Sequence, residues 1–109
     1  MITVIYHRGT SCVTIDGHAQ SGEKGHDLVC ASASILAYTL SAFVNNMKAA
    51  GQTESPSVEL TEGHAVIACN APSRYQGAVA LVFDSLCAGF DILAQQYPEN
   101  ISFEIVRED

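Results

Sequence analysis

The chain has 109 residues, of which 48% are hydrophobic and 16% charged, and five Lys and Arg stand against twelve Asp and Glu for a formal net charge of -7. This length and composition predict one globular domain over residues 1–109 and exclude the charged, apolar-poor signature of disorder. The negative field repels a phosphate backbone, which argues against direct nucleic-acid binding, and it draws in basic polypeptides.

The N-terminus shows no basic region followed by an apolar block, and no stretch reads as the roughly 20 apolar residues of a membrane span. A cytoplasmic setting without membrane contact is therefore expected. The four cysteines, Cys12, Cys30, Cys69 and Cys87, lie far apart in a chain without a secretion signal, so reduced thiols are expected. A domain of this size buries a modest share of its surface, which leaves apolar faces for self-association, and a homodimer is the expected assembly.

In chain order, Ile2, Val4 and Tyr6 alternate with Thr3, Ile5 and His7, a period of two that predicts a first strand. Arg8-Gly9-Thr10-Ser11 supplies a turn, and Val13 and Ile15 mark the return strand of a hairpin ending near Asp16-Gly17. From Gly17 to Gly25 the chain carries three glycines, Gly17, Gly22 and Gly25, and almost nothing apolar, so it is expected to be a surface loop. Asp27 is the expected N-cap of a long helix in which Leu28, Ile35, Leu36, Leu40, Phe43, Val44 and Met47 recur at helical spacing, with Gly51 as its stop.

Val58 and Leu60 alternate with Glu59 and Thr61 in a third strand, and Glu62-Gly63 reads as a tight turn. The fourth strand, His64 to Cys69, is apolar on both faces and is expected to be the more buried. After Asn70-Ala71-Pro72-Ser73, a second helix carries Val79, Val82, Leu86, Phe90, Leu93 and Tyr97 on one stripe and ends at Pro98. Ile101, Phe103 and Ile105 form a closing strand, and Arg107-Glu108-Asp109 reads as a frayed tail. The order ββαββαβ predicts a two-layer α+β domain, a mostly antiparallel five-stranded sheet with both helices on one face.

The segment with chemical content is DGHAQSGEKGHDLVCASAS, Asp16 to Ser34. With Asp27 as N-cap, Cys30 would be the third helical residue, where free backbone N–H groups and the helix dipole favour thiolate and could also hold an oxyanion. His18, at the end of the second strand, is the candidate base, with His26 as its rival beside Asp27. Ser34 shares the helix face of Cys30 one turn on. Each also has a plain reading: a buried inert cysteine, a solvent histidine, a simple cap, a small polar residue at a helix–strand contact. Cys12, Cys69 and Cys87 read as packing residues, and His7 and His64 as strand residues. No C-x-x-C or H-x-x-x-H spacing supports zinc, and the loop glycines lack the Lys-Ser or Lys-Thr of a phosphate cradle.

The pattern GHAxxGxxGxDxVCAxxS, with Gly17, His18, Asp27, Cys30 and Ser34, closely resembles the bacterial ribosomal-processing cysteine protease family, Prp. That resemblance implies a two-layer α+β homodimer with His18 as general base and Cys30 as nucleophile. Asp27 and Ser34 would be supporting polar positions, serving orientation or the oxyanion. Gly17 would be a hinge, and the stretch Gly17 to Gly25, with Gly22 inside it, a segment that gates substrate. The implied substrate is a large-subunit ribosomal protein precursor whose short N-terminal extension is cut after an aromatic pair and before a small residue. Neither metal nor organic cofactor is called for. Two other classes remain open on sequence: a non-catalytic acidic adaptor that binds a basic ribosomal protein, suggested by the net charge, and a thiol redox sensor, which a distant resolving cysteine disfavours.

Overall fold

The computed structural model describes residues 1–17 and 24–107, with residues 24–27 described for their backbone alone. The elements run β1 (Ile2–His7), β2 (Cys12–Asp16), α1 (Lys24–Ala49), β3 (Ser57–Thr61), β4 (His64–Ala68), α2 (Ser73–Gln96) and β5 (Ile101–Val106), with a short 3-10 turn between β1 and β2. The expected element order therefore holds. The strands form one sheet in the order β3-β4-β2-β1-β5, antiparallel except for the parallel pair β1 and β5. That pair is parallel because α2 carries the chain back across the sheet between β4 and β5.

Alternation along the strands sets the inner face. Ile2, Val4 and Tyr6 of β1, Val13 of β2, Ala65 and Ile67 of β4 and Ile101 of β5 are buried. All of these but Ala65 join one core cluster with Val29, Ala33, Ala37, Leu40, Val44 and Met47 of α1 and Val79, Phe83, Cys87, Phe90 and Leu93 of α2. Two expectations about burial change. Val66 and Ala68 of β4 are only half-buried, because both helices lie on the other face and no described layer covers theirs. On α1 the core-facing stripe runs through small residues, while Leu28 and Ile35 are exposed.

The ends of α1 also differ from one another in how well sequence places them. Gly51 stops the helix in the left-handed region, at φ 70°, with its N–H donating to Lys48 O and that of Gln52 to Met47 O. At the other end the helix begins at Lys24, so Gly25 lies within it and Asp27 is its fourth residue, not its N-cap. A glycine in a helix costs about 1 kcal/mol relative to alanine. A 26-residue helix packed along a sheet offsets that. His18 and Gly22 lie outside the described residues, as do Glu108 and Asp109.

Both helices are long and apolar enough to cross a membrane by length and composition, at a mean hydropathy of 1.6 for Leu28–Ala49 and 1.7 for α2. This corrects the expectation that no stretch approaches a span. Each helix nevertheless turns one stripe onto the sheet, and what remains apolar and outward, Leu28, Ile35 and Tyr38 on α1 and Leu81 and Ile92 on α2, is exposed.

Candidate active site

Cys30 is the seventh residue of α1, in its second turn. Its amide is consequently inside the helical hydrogen-bond ladder, and the four free N–H groups belong to residues 24–27. The expectation that Cys30 itself sits among free first-turn amides is corrected accordingly. Its thiol is exposed, whereas Cys69 and Cys87 are buried and Cys12 is half-buried; none of the four is in a disulfide. Burial pushes the Cys87 thiol up to about 12, with the Asp84 charge adding to it, so this sulfur stays protonated near neutral pH. The three expected packing thiols are thus distinguished from Cys30 by accessibility.

Cys30 opens onto a groove of about 370 Å³ between α1 and the end of the sheet where β1 begins, β2 ends and β3 turns into β4. Ala33, Ala37 and Tyr38 of α1 and Ile2, Ile15 and Leu60 of the sheet give it apolar walls. Ser34, four residues beyond Cys30 and so on the same helix face, lines it too. The structure therefore brings Cys30, Ser34 and Gly17 to one groove. Gly25 stands in the first turn of α1, while the side chain of Asp27 and the whole of His18 and Gly22 lie outside what is described.

Gly17 has a specific steric role. It leaves β2 at φ 112°, and a Cβ there would lie 2.1 Å from Met1 O and 3.1 Å from Met1 C. No side chain fits between the end of β2 and the start of β1, so the residue preceding His18 has to be glycine. Its N–H donates to Gly63 O at 2.9 Å, tying the exit of β2 to the β3–β4 turn.

Sequence reasoning reads His64 as a plain strand residue, and here it does more. It pairs in register with Asp16, and its Nδ1–H donates to Asp16 Oδ1, while Nε2 lies 3.6 Å from Glu59 Oε2. The hydrogen bond to Asp16 is the main cause that raises the His64 pKa above its ordinary value, with the charges of Asp16 and Glu59 adding to it and desolvation opposing it. No local signal announces this contact, because it depends on β4 lying beside β2. Among the described residues no group of three or more His, Cys, Asp or Glu side chains is placed to hold a metal ion.

The fold and the groove together define a two-layer α+β domain with an exposed helical thiol at the head of an apolar groove. The family model for the cysteine protease Prp matches residues 1–102, and the chain belongs to that family. A curated relative, the ribosomal processing cysteine protease Prp of Staphylococcus aureus, is 26% identical over 101 residues, covering 92% of this chain and 91% of its own. Among solved structures, SMU.848 from Streptococcus mutans is 28% identical with a TM-score of 0.69, over 98% of this chain and 93% of that one. The essential ribosomal processing protease Prp from S. aureus, in complex with a covalently linked product peptide, is 28% identical with a TM-score of 0.72, over 97% of this chain and all of that one. The fold is also that of the S. aureus protease with a substrate peptide, at 23% identity and a TM-score of 0.66 over 96% of this chain and 97% of that one.

Proposed function

We propose that this protein is a cytoplasmic cysteine endopeptidase that removes a short N-terminal extension from a large-subunit ribosomal protein precursor, cutting after an aromatic pair and before a small residue. The observation that carries it is the exposed thiol of Cys30 at the head of an apolar groove, in a chain of the Prp family. A relative that is a ribosomal processing cysteine protease and a relative covalently linked to a product peptide support a peptide substrate of ribosomal origin.

In this mechanism Cys30 Sγ attacks the scissile carbonyl after His18 takes its proton, giving a tetrahedral oxyanion and then a thioester. His18 passes that proton to the leaving amine, and water, activated by the same imidazole, hydrolyses the thioester. The Cys30 amide is engaged in the helix, so the Ser34 hydroxyl, one turn on and in the same groove, is the side-chain donor assigned to the oxyanion or to orienting the dyad. Asp27 takes the orienting role for the imidazole. The aliphatic walls and the Tyr38 ring suit the aromatic residues preceding the cut. The net charge of -7 favours encounter with a basic substrate. Outward apolar residues on both helices, such as Ile35 at 61% and Leu81 at 68% exposure, support a homodimer.

The test is incubation with the precursor, followed by intact mass. The parent protein should shorten it at one bond, and Cys30→Ala and His18→Ala should lose at least about a thousandfold in rate, the scale seen when a member of a nucleophile–base pair is removed. Cleavage by Cys30→Ala at the parent rate would remove the assignment, and salt-sensitive capture of an uncut precursor would replace it with the adaptor.

A further inference from the structure

We propose that Asp16 and His64 are positioning residues for the thiol site, a proton-linked clasp that fixes where the chain leaves β2 on its way to His18. The proposal rests on the assignment of His18 and Cys30 made above.

Asp16 is the last residue of β2 and His64 the first of β4, directly opposite each other in the antiparallel register. Alternation places both side chains on the helix-free face of the sheet, at its end, where His64 and the flanking Gly17 and Gly63 border the groove. The clasp is not needed to set register, since five residue pairs and the buried inner face of β2 and β4 already do so. What it adds comes at the strand ends. Together with the Gly17 N–H to Gly63 O bond it makes a two-point attachment immediately before the backbone leaves the sheet.

Three titratable groups meet there: His64 from β4, Asp16 from β2 and Glu59 from β3. On the same face the neighbours Thr3, opposite Asp16 on β1, and Val66, next on β4, carry no charge. Protonated His64 keeps its hydrogen bond to Asp16 and adds charge attraction to Glu59, whose carboxylate lies 3.6 Å from Nε2. Neutral His64 keeps a single N–H, which stays with Asp16, and turns an unprotonated Nε2 toward Glu59. The raised pKa means that the full clasp is present below the ordinary histidine value and weakens as pH rises through the raised one.

The experiment compares rates of Cys30 alkylation by iodoacetamide, read by peptide mass spectrometry from about pH 5.5 to pH 8.5, in the parent, His64→Ala, His64→Asn and His18→Ala. Taking the ratio of parent to variant cancels the thiol's own titration. With His64→Ala the parent should be faster by about three- to tenfold at the acid end, and that ratio should fall as His64 loses its proton but stay above one, because the bond to Asp16 remains. Asparagine, whose amide reaches the place of Nδ1, should restore the rate without the pH dependence. The Gly17 amide should exchange with solvent about tenfold faster in His64→Ala, a readout that is independent of any substrate. If His18→Ala slows alkylation and His64→Ala follows the parent at every pH, the clasp is refuted and the dyad stands. If His18→Ala itself reacts like the parent, the dyad falls and the clasp with it.

Discussion

Replacing Gly17 by alanine tests the steric logic at the root of the site. At φ 112° an L-residue is strained by about 1–3 kcal/mol. The added Cβ would also sit 2.1 Å from a backbone oxygen, that of Met1, which no side-chain rotation can relieve. Relief requires either the start of β1 or Gly17 itself to move by about an ångström, and the second route gives up the Gly17 to Gly63 hydrogen bond, worth about 1 kcal/mol. The expected loss is therefore about 2–4 kcal/mol, a large part of the roughly 5–15 kcal/mol that holds a domain of this size together. Urea unfolding followed by far-UV circular dichroism measures it, and peptide cleavage under conditions where the variant remains folded should fall further than the unfolded fraction explains. A change below about 0.5 kcal/mol, with cleavage intact, would show that the β2 exit is not confined as described.

Gly77 is the natural contrast: it lies in α2, and among the described residues no atom comes within 4 Å of where a Cβ would stand, so Gly77→Ala should stabilise the protein by about 0.5–1 kcal/mol in the same urea assay. Tyr6, 1% exposed, donates its hydroxyl to Asp84 Oδ1 at 2.7 Å, so Tyr6→Phe should cost about 1–2 kcal/mol; no loss would mean that Arg8 alone satisfies the carboxylate. The hydrogen bond from Arg8, with that from Tyr6 adding to it, holds the Asp84 carboxyl below the usual carboxylate range against an opposing desolvation. Its contribution to stability is thus complete above the ordinary aspartate pKa and lost as pH falls through the lowered one, and Asp84→Asn should flatten the acid limb of a stability profile measured between about pH 2 and pH 5.

Elements whose signal is local are legible in the sequence. Strands announced by alternation, the Glu62-Gly63 turn with Gly63 at φ 77°, and the Gly51 stop all stand where local chemistry puts them. Counting large side chains misleads on α1, where Ala33, Ala37 and Ser41 face the core and Leu28 and Ile35 do not. Small residues let a helix settle close to a sheet, so the buried stripe is marked by shortness as much as by apolarity. The start of α1 is harder to read because Asp27 is a good cap by type, and cap propensity says nothing about whether the preceding turn is already helical. Cys30 and Ser34 are readable because i and i+4 on one helix share a face. His64 is not, since its partner Asp16 is 48 residues away and meets it through sheet order alone.

The two ends of β1 explain why the site sits where it does. At the far end, the Tyr6 hydroxyl and the Arg8 guanidinium converge on one carboxylate of α2, with Arg8 Nε and Nη2 reaching Asp84 Oδ1 and Oδ2 at 3.0 and 2.9 Å. That bidentate contact fixes strand to helix by direction as well as by attraction. At the near end, where Ile2 borders the groove, the exit of β2 is held by a glycine that tolerates no side chain, one backbone bond and a histidine whose pKa its carboxylate partner raises above the ordinary value. The sheet is thus locked to its helix layer at one end and fastened by small, titratable contacts at the end that borders the groove of Cys30. Strengthening the far end should therefore raise stability without changing turnover, whereas changes to the exposed pair Asp16 and His64 should move turnover more than stability.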